Sequence, residues 1–223
     1  MSMSWDVTVI VAVKNGESFL GDSLESIRSQ PNVTVELIVV DGKSTDRSRD
    51  IAAEFDARVI GEDAPGLAAA WNTGLGHATA PLIAFLDSDD RWLPSTLADR
   101  IQQLQRFPDA GFSVGRVQHF IEPGASIAVS KRERLLREQL APIPGTMLFR
   151  KSVFERVGLF DPRFAVAADA DWVARSVGQN IQYCEFDGLV LMKRLHSANL
   201  TAQVELTQSE LLALLRRKIG RGR

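Results

Sequence analysis

The chain has 223 residues, 45% of them hydrophobic and 24% charged, with a formal net charge of −2. This is globular composition, long enough to bury a sizeable core, and the near-neutral balance excludes nucleic-acid binding driven by a basic surface. A single cysteine, Cys184, excludes an internal disulfide framework and suits a reducing compartment. No apolar run reaches transmembrane length, and Met1 to Asp6 lack the basic and apolar regions of a secretory signal. A soluble cytoplasmic protein is expected.

In chain order, Val7 to Val13 is a β-branched run, hence a buried strand. Lys14-Asn15-Gly16-Glu17 turns the chain, and Phe19, Leu20, Leu24 and Ile27 recur at helical spacing as far as Arg28. After Pro31-Asn32, Val33 to Val40 reads as a second strand. It ends in Asp41-Gly42-Lys43-Ser44-Thr45-Asp46, where Ser44 or Thr45 caps a helix to about Phe55. Arg58 to Ile60 is a short third strand, and Pro65-Gly66 opens a helix to about His77. Leu82 to Leu86 is a fourth strand, stopped by Asp87-Ser88-Asp89-Asp90. Four such alternations predict a parallel sheet with helices on both faces. Ligands of these sheets bind beyond the carboxyl ends of the strands, where Asn15, Asp41 and Asp87 all fall.

The acids after the fourth strand admit two readings. If the strand continues, Asp87 and Asp89 share a face and Asp90 takes the other. Like charges beside an apolar core need a positive partner, and a hard cation with oxygen ligands, Mg²⁺ or Mn²⁺, supplies one. Alternatively the segment is a polar turn in which Asp89 or Asp90 caps the helix starting near Pro94-Ser95.

The second half is less regular. Pro94 to Phe107 reads as a helix, Ala110 to Phe120 as a strand, Lys131 to Leu140 as an exposed charged helix, and Met147 to Phe149 as a strand. Short helices follow at Ser152 to Val157 and from Ala168. Ile181 to Phe186 and Leu189 to Met192 fit a hairpin turning at Asp187-Gly188. At the C-terminus Val204, Leu211, Leu212, Leu215 and Ile219 form an apolar helical stripe beside Arg216-Arg217-Lys218. It suits packing on the domain, or lying on the inner face of an anionic membrane. No repeat or linker divides the chain. The expectation is one domain, with a nucleotide-binding half at about 1–93, an acceptor half at about 94–198 and a helical basic tail at 199–223.

Two nucleotide motifs are absent. Leu37 stands where a P-loop ending at Gly42-Lys43-Ser44 needs its first glycine, and Gly74-Leu75-Gly76 does not follow a strand. Five segments together instead resemble glycosyltransferase family 2: Val9 to Glu17, Leu37 to Asp46, Gly66 to Gly74, Phe85 to Asp90, and Gly158 to Asp161 with Ala168 to Asp171. Their order and spacing match that family across about Val7 to His196.

The resemblance implies a GT-A fold, that is, an α/β Rossmann-like mixed sheet with helices on both faces. It implies an inverting transfer from a nucleotide-diphospho-sugar, UDP-linked by preference, to a hydroxyl of a glycan or lipid-linked acceptor in polysaccharide assembly. By the same resemblance Val13, Asn15, Glu17, Asp41, Asn72, Asp87, Ser88 and Arg194 would contact the nucleotide sugar. Asp89, Asp87 and His196 would hold the Mg²⁺ or Mn²⁺. Asp169 or Asp171 would be the base, in a segment where Ala168 departs from the family's frequent Glu. A sugar nucleotidyltransferase and a non-catalytic nucleotide-sugar-binding module are the alternatives. The former lacks its glycine-rich, Lys-bearing loop, since Lys14-Asn15-Gly16 is too short.

Overall fold

The β-branched run becomes β1 (Val7–Val13) and the sheet grows on both sides of it. β2 (Val35–Asp41) and β4 (Leu82–Asp87) both pair with it in parallel, Val7 standing opposite Val35 and Leu82. β3 (Arg58–Gly61) extends the sheet beyond β2. The connecting helices are α1 (Leu20–Arg28), α2 (Ser48–Glu54) and α3 (Leu67–His77). A computed structural model supplies the coordinates and describes residues 5–125, 133, 135–196 and 210.

Strand periodicity sorts the core into two layers. Val9, Val11 and Leu86 face one way, onto Leu20, Leu24 and Ile27 of α1. Ile10, Ile38 and Phe85 face the other, onto Trp71 and Leu75 of α3 and the rings of Phe112, Phe149 and Trp172. α3 lies unusually close to β1: a Cβ on Gly74 would stand 2.4 Å from Ile10 Cγ2. Gly66, just before α3, has φ 113°, a conformation that glycine adopts without strain.

The remaining elements are β5 (Arg91–Trp92), α4 (Thr96–Arg106), β6 (Ala110–Ile121), β7 (Gln139–Leu140), β8 (Met147–Arg150), α5 (Val153–Val157), α6 (Ala168–Gly178) and β9 (Gln182–Leu195). Pro144–Thr146 forms a 3-10 turn. Among the described residues the strands form one sheet in the order β3-β2-β1-β4-β8-β6-β9-β5, with β7 paired to β6. β8 joins β4 antiparallel, so the sheet is mixed.

Four local expectations need correction. The hairpin at Asp187-Gly188 does not form. Gln182 to Leu195 is one strand parallel to β6, and the register shifts between Val114 and Arg116 absorb the extra residues as a bulge. Gly115 lets Val190 come close at this point. Gln139 and Leu140 are strand, pairing with Val117 and Arg116. Of the expected helix before them, Glu133 and Leu135 are helical, and residues 131, 132 and 134 lie outside the described set. Neither Asp89 nor Asp90 caps α4, which follows Ser95 at φ 64° without a side-chain cap. Ser44 and Thr45 do not cap α2, which begins at Ser48 after Arg47. The C-terminal stripe lies outside the described residues except for Glu210 beside it. No described helix is long and apolar enough to cross a membrane.

Candidate active site

β2 and β3 lie on one side of β1 and β4 on the other, so the chain reverses its direction of travel across the sheet between β1 and β4. Loops leaving neighbouring strands at such a switch open a crevice. Here that crevice is a cavity of about 530 Å³, lined by Ala12 to Gly16, Phe19, Gly42, Glu62, Gly66 and Asp87 to Asp89, with Val166, Lys193 and His196 closing it.

β4 stops at Asp87, and the Asp90 N–H returns to the Asp87 carbonyl at 3.1 Å. The acids therefore sit on a turn, and the strand alternation that would separate Asp90 from Asp87 and Asp89 does not apply. Ligand oxygens of all three lie within 4.8 Å of one another. Two neighbouring groups answer this charge. Lys193 Nζ donates to Asp87 Oδ2 at 2.9 Å and to Asp90 Oδ2 at 2.8 Å. His196 Nε2 stands 2.9 Å from Asp89 Oδ2, its ring against Phe19.

The electrostatics follow from burial. Asp90 is fully buried, and burial pushes its carboxyl group up; Lys193 opposes this, while Asp87 and Asp89 add to it. Burial works against the Lys193 ammonium too, yet Asp87 and Asp90 outweigh it and hold the group well above its ordinary range. Asp169, in the first turn of α6, is pushed up to about 6. Burial is the main cause. The Ala170 N–H opposes it, the Asp87 charge adds to it, and Lys193 opposes it more weakly.

The family model for glycosyl transferase family 2 matches residues 8–158. The chain belongs to that family. Glycosyltransferase GlyA of Streptococcus pneumoniae is 36% identical over 121 residues, which are 52% of this chain and 17% of GlyA. The mannosyltransferase PcManGT of Pyrobaculum calidifontis, crystallised with GDP-Man and Mn²⁺, superposes with a TM-score of 0.72 at 22% identity, covering 98% of this chain and 65% of its own. Staphylococcus aureus TarS 1-349 in complex with UDP gives a TM-score of 0.69 at 19% identity, covering 86% and 61%. The fold is thus GT-A, as the resemblance implied. The chain spans 17%, 54% and 26% of the first three curated relatives that it matches.

Of the family residues expected at the site, the cavity brings together Val13, Asn15, Asp87, Ser88, Asp89 and His196. Others, Asp169 among them, do not line it. Asp41 is buried next to the lining residue Gly42 and accepts from the Ser44 N–H at 3.2 Å and from Arg49 Nη1 at 3.1 Å. Glu17 accepts the Arg47 N–H and Asn15 accepts the Thr45 N–H, tying the β1–α1 loop to the β2–α2 loop. Asn72 holds both backbone groups of Phe160. Asp171 pairs with Arg175 Nε at 2.7 Å within α6. Arg194 is buried between the rings of Phe19 and Phe120, paired with Asp22 and Glu122, and its Nε donates to the Asp89 carbonyl. It braces the turn that carries the acids.

Its neighbour Lys193 is the one of this pair that lines the cavity, and residue-by-residue matching passed over it. The signal was strand alternation, which sends adjacent side chains to opposite faces. Sequence does not say which of the two faces inward, because that depends on the partner of β9.

The residues present suit a divalent cation. Carboxylate oxygens are the ligands that Mg²⁺ and Mn²⁺ prefer, and Asp87, Asp89 and His196 all face the cavity. Lys193 already offsets both Asp87 and Asp90, while Asp89 stands against the imidazole of His196.

Proposed function

We propose that this chain is the catalytic unit of an inverting, metal-dependent glycosyltransferase that moves a sugar from a UDP-linked donor to an acceptor hydroxyl in glycan or polysaccharide assembly. The acceptor is a glycan or a lipid-linked sugar. The observation that carries the reading is convergence: acids at the end of β4 and a cation and an imidazole at the end of β9 meet at one cavity over the switch between β1 and β4, and the charges of Asp87 and Lys193 reach Asp169 on α6. The UDP bound to TarS and the Mn²⁺ bound to PcManGT, on the same fold, support the choice of donor and cofactor.

Each group then has a role that its chemistry fits. The donor lies over the ends of β1 and β4, with Asn15 and Ser88 near the nucleotide. Asp89, Asp87 and His196 would hold Mg²⁺ or Mn²⁺, which when bound offsets the charge that builds on the departing diphosphate. Lys193 keeps two acids from repelling the donor phosphates. Asp169 takes the proton of the attacking hydroxyl, since a carboxylate raised toward neutrality is a better base than an ordinary one. A single base opposite the leaving group gives one displacement and inversion. Asp171, already held by Arg175, fixes the first turn of α6.

Thermal unfolding with UDP-glucose, UDP-N-acetylglucosamine or GDP-mannose, with and without Mn²⁺, tests the reading. A saturating donor stabilises by about 3 kcal/mol, which for a chain of this length is a rise in Tm of about 6–12 °C. A UDP-sugar should do so only with Mn²⁺, and Asp89→Ala should lose that response. A metal-independent response, or an Asp89→Ala variant that behaves as wild type, overturns the metal assignment. Absence of any shift overturns the donor.

A further inference from the structure

The loop before α6 presents an arrangement that the reaction described above does not use. Three successive backbone N–H groups, those of Ala165, Val166 and Ala167, donate to the carboxylate of Glu210 at 2.8, 2.9 and 2.8 Å, and both of its oxygens are engaged. Ala167 is the N-cap of α6 and has no side chain able to accept from the helix. Helices ordinarily recruit Ser, Thr, Asp or Asn at this point. Here the acceptor comes from 43 residues further along the chain. A carboxylate is also favoured at the positive end of a helix, and charge-assisted bonds of this kind are about twice as strong as neutral ones. Burial works to raise the Glu210 carboxyl pKa, but the three N–H groups outweigh it and hold it below the ordinary range. The group therefore stays ionised where Asp169 titrates.

Both ends of this short loop matter to the site. Val166 lines the donor cavity, and Asp169 follows Ala167 by two residues. We propose that Glu210 is a positioning residue: its carboxylate holds the 165–167 turn, and through it the first turn of α6, which carries Asp169. The inference rests on the reading of Asp169 as acceptor base.

Glu210→Ala, Glu210→Gln, Asp169→Asn and the double variant Asp169→Asn/Glu210→Ala test it. The substrate-free readout is the NMR titration of the Asp169 carboxyl carbon. In Glu210→Ala its midpoint should fall from about 6 toward 3.8, because a loosened turn admits water. Glu210→Gln keeps one carbonyl oxygen and should move it less, and it serves if the Ala variant does not fold. With whichever of the three donors the wild type consumes, Glu210→Ala should lower kcat by about tenfold to a hundredfold with donor KM little changed. The double variant should be no slower than Asp169→Asn alone. An unmoved Asp169 midpoint overturns the inference, as do losses that multiply in the double variant. If Asp169→Asn turns over at the wild-type rate, the base reading fails instead, a result distinct from either.

Discussion

Replacing Asp169 by Asn should change activity and stability in opposite directions. The carboxyl group is raised from 3.8 to about 6, chiefly by burial. An acid whose folded pKa exceeds its unfolded value binds its proton more tightly in the native state. The stability it contributes is complete below pH 3.8 and is lost as pH rises through about 6. Roughly two units at about 1.4 kcal/mol each amount to about 3 kcal/mol. That figure is an upper bound, because Asp169 is only partly shielded from solvent. Asn carries no charge and keeps the oxygen that accepts the Ala170 N–H at 2.7 Å. The variant should therefore gain on wild type between about pH 4 and about pH 8, by up to roughly 6–12 °C in Tm. Its turnover should fall by about 10²- to 10⁴-fold, the usual worth of a general base, and wild-type kcat should rise with pH through about 6. Circular-dichroism melts and donor turnover at the two pH values measure both. A difference in Tm that does not change with pH would refute the claim that burial holds the charge of Asp169 at a cost.

Lys193→Met leaves Asp90, whose side chain is 1% exposed, without its cation. The cost should be about 3–5 kcal/mol, seen by calorimetry as a large drop in Tm. Lys193→Met/Asp90→Asn should recover most of it, and a failure to recover would assign the loss to packing rather than charge. Gly74→Ala drives a Cβ into Ile10 and should cost about 1–3 kcal/mol in urea unfolding. Gly76→Ala, with no atom within 4 Å of the added carbon, is the matched control and should be neutral or mildly stabilising.

The first half of the fold was legible because its signals are local. β1 and β4 are apolar runs of strand length, and α1 and α3 carry apolar residues at helical spacing, so each declares its type without reference to its neighbours. The second half depends on partners. Asp187-Gly188 is a good hairpin turn in isolation. It is overruled because β6 offers β9 a parallel edge and Gly115 makes room for Val190. Gln139 and Leu140 sit in a helical pattern but are captured by the edge of β6. Ser44 has capping chemistry, yet its hydroxyl accepts the Asn15 N–H from the neighbouring loop.

The site divides along the same line, and its charge balance shows why. That Asp87 and Asp89 needed a positive partner could be argued from two residues. What the partner is could not, because Lys193 lies 106 residues from Asp87 and is brought to it by the pairing of β9 with β5 and β6. The same pairing turns Arg194 to the opposite side, where it binds Asp22 and Glu122. A shift of one residue in that register would exchange the two cations. It would also take from the buried Asp90 the ammonium on which it depends. Register, acids and cation therefore constrain one another: the strand pairing that completes the sheet is also what sets the electrostatics of the cavity.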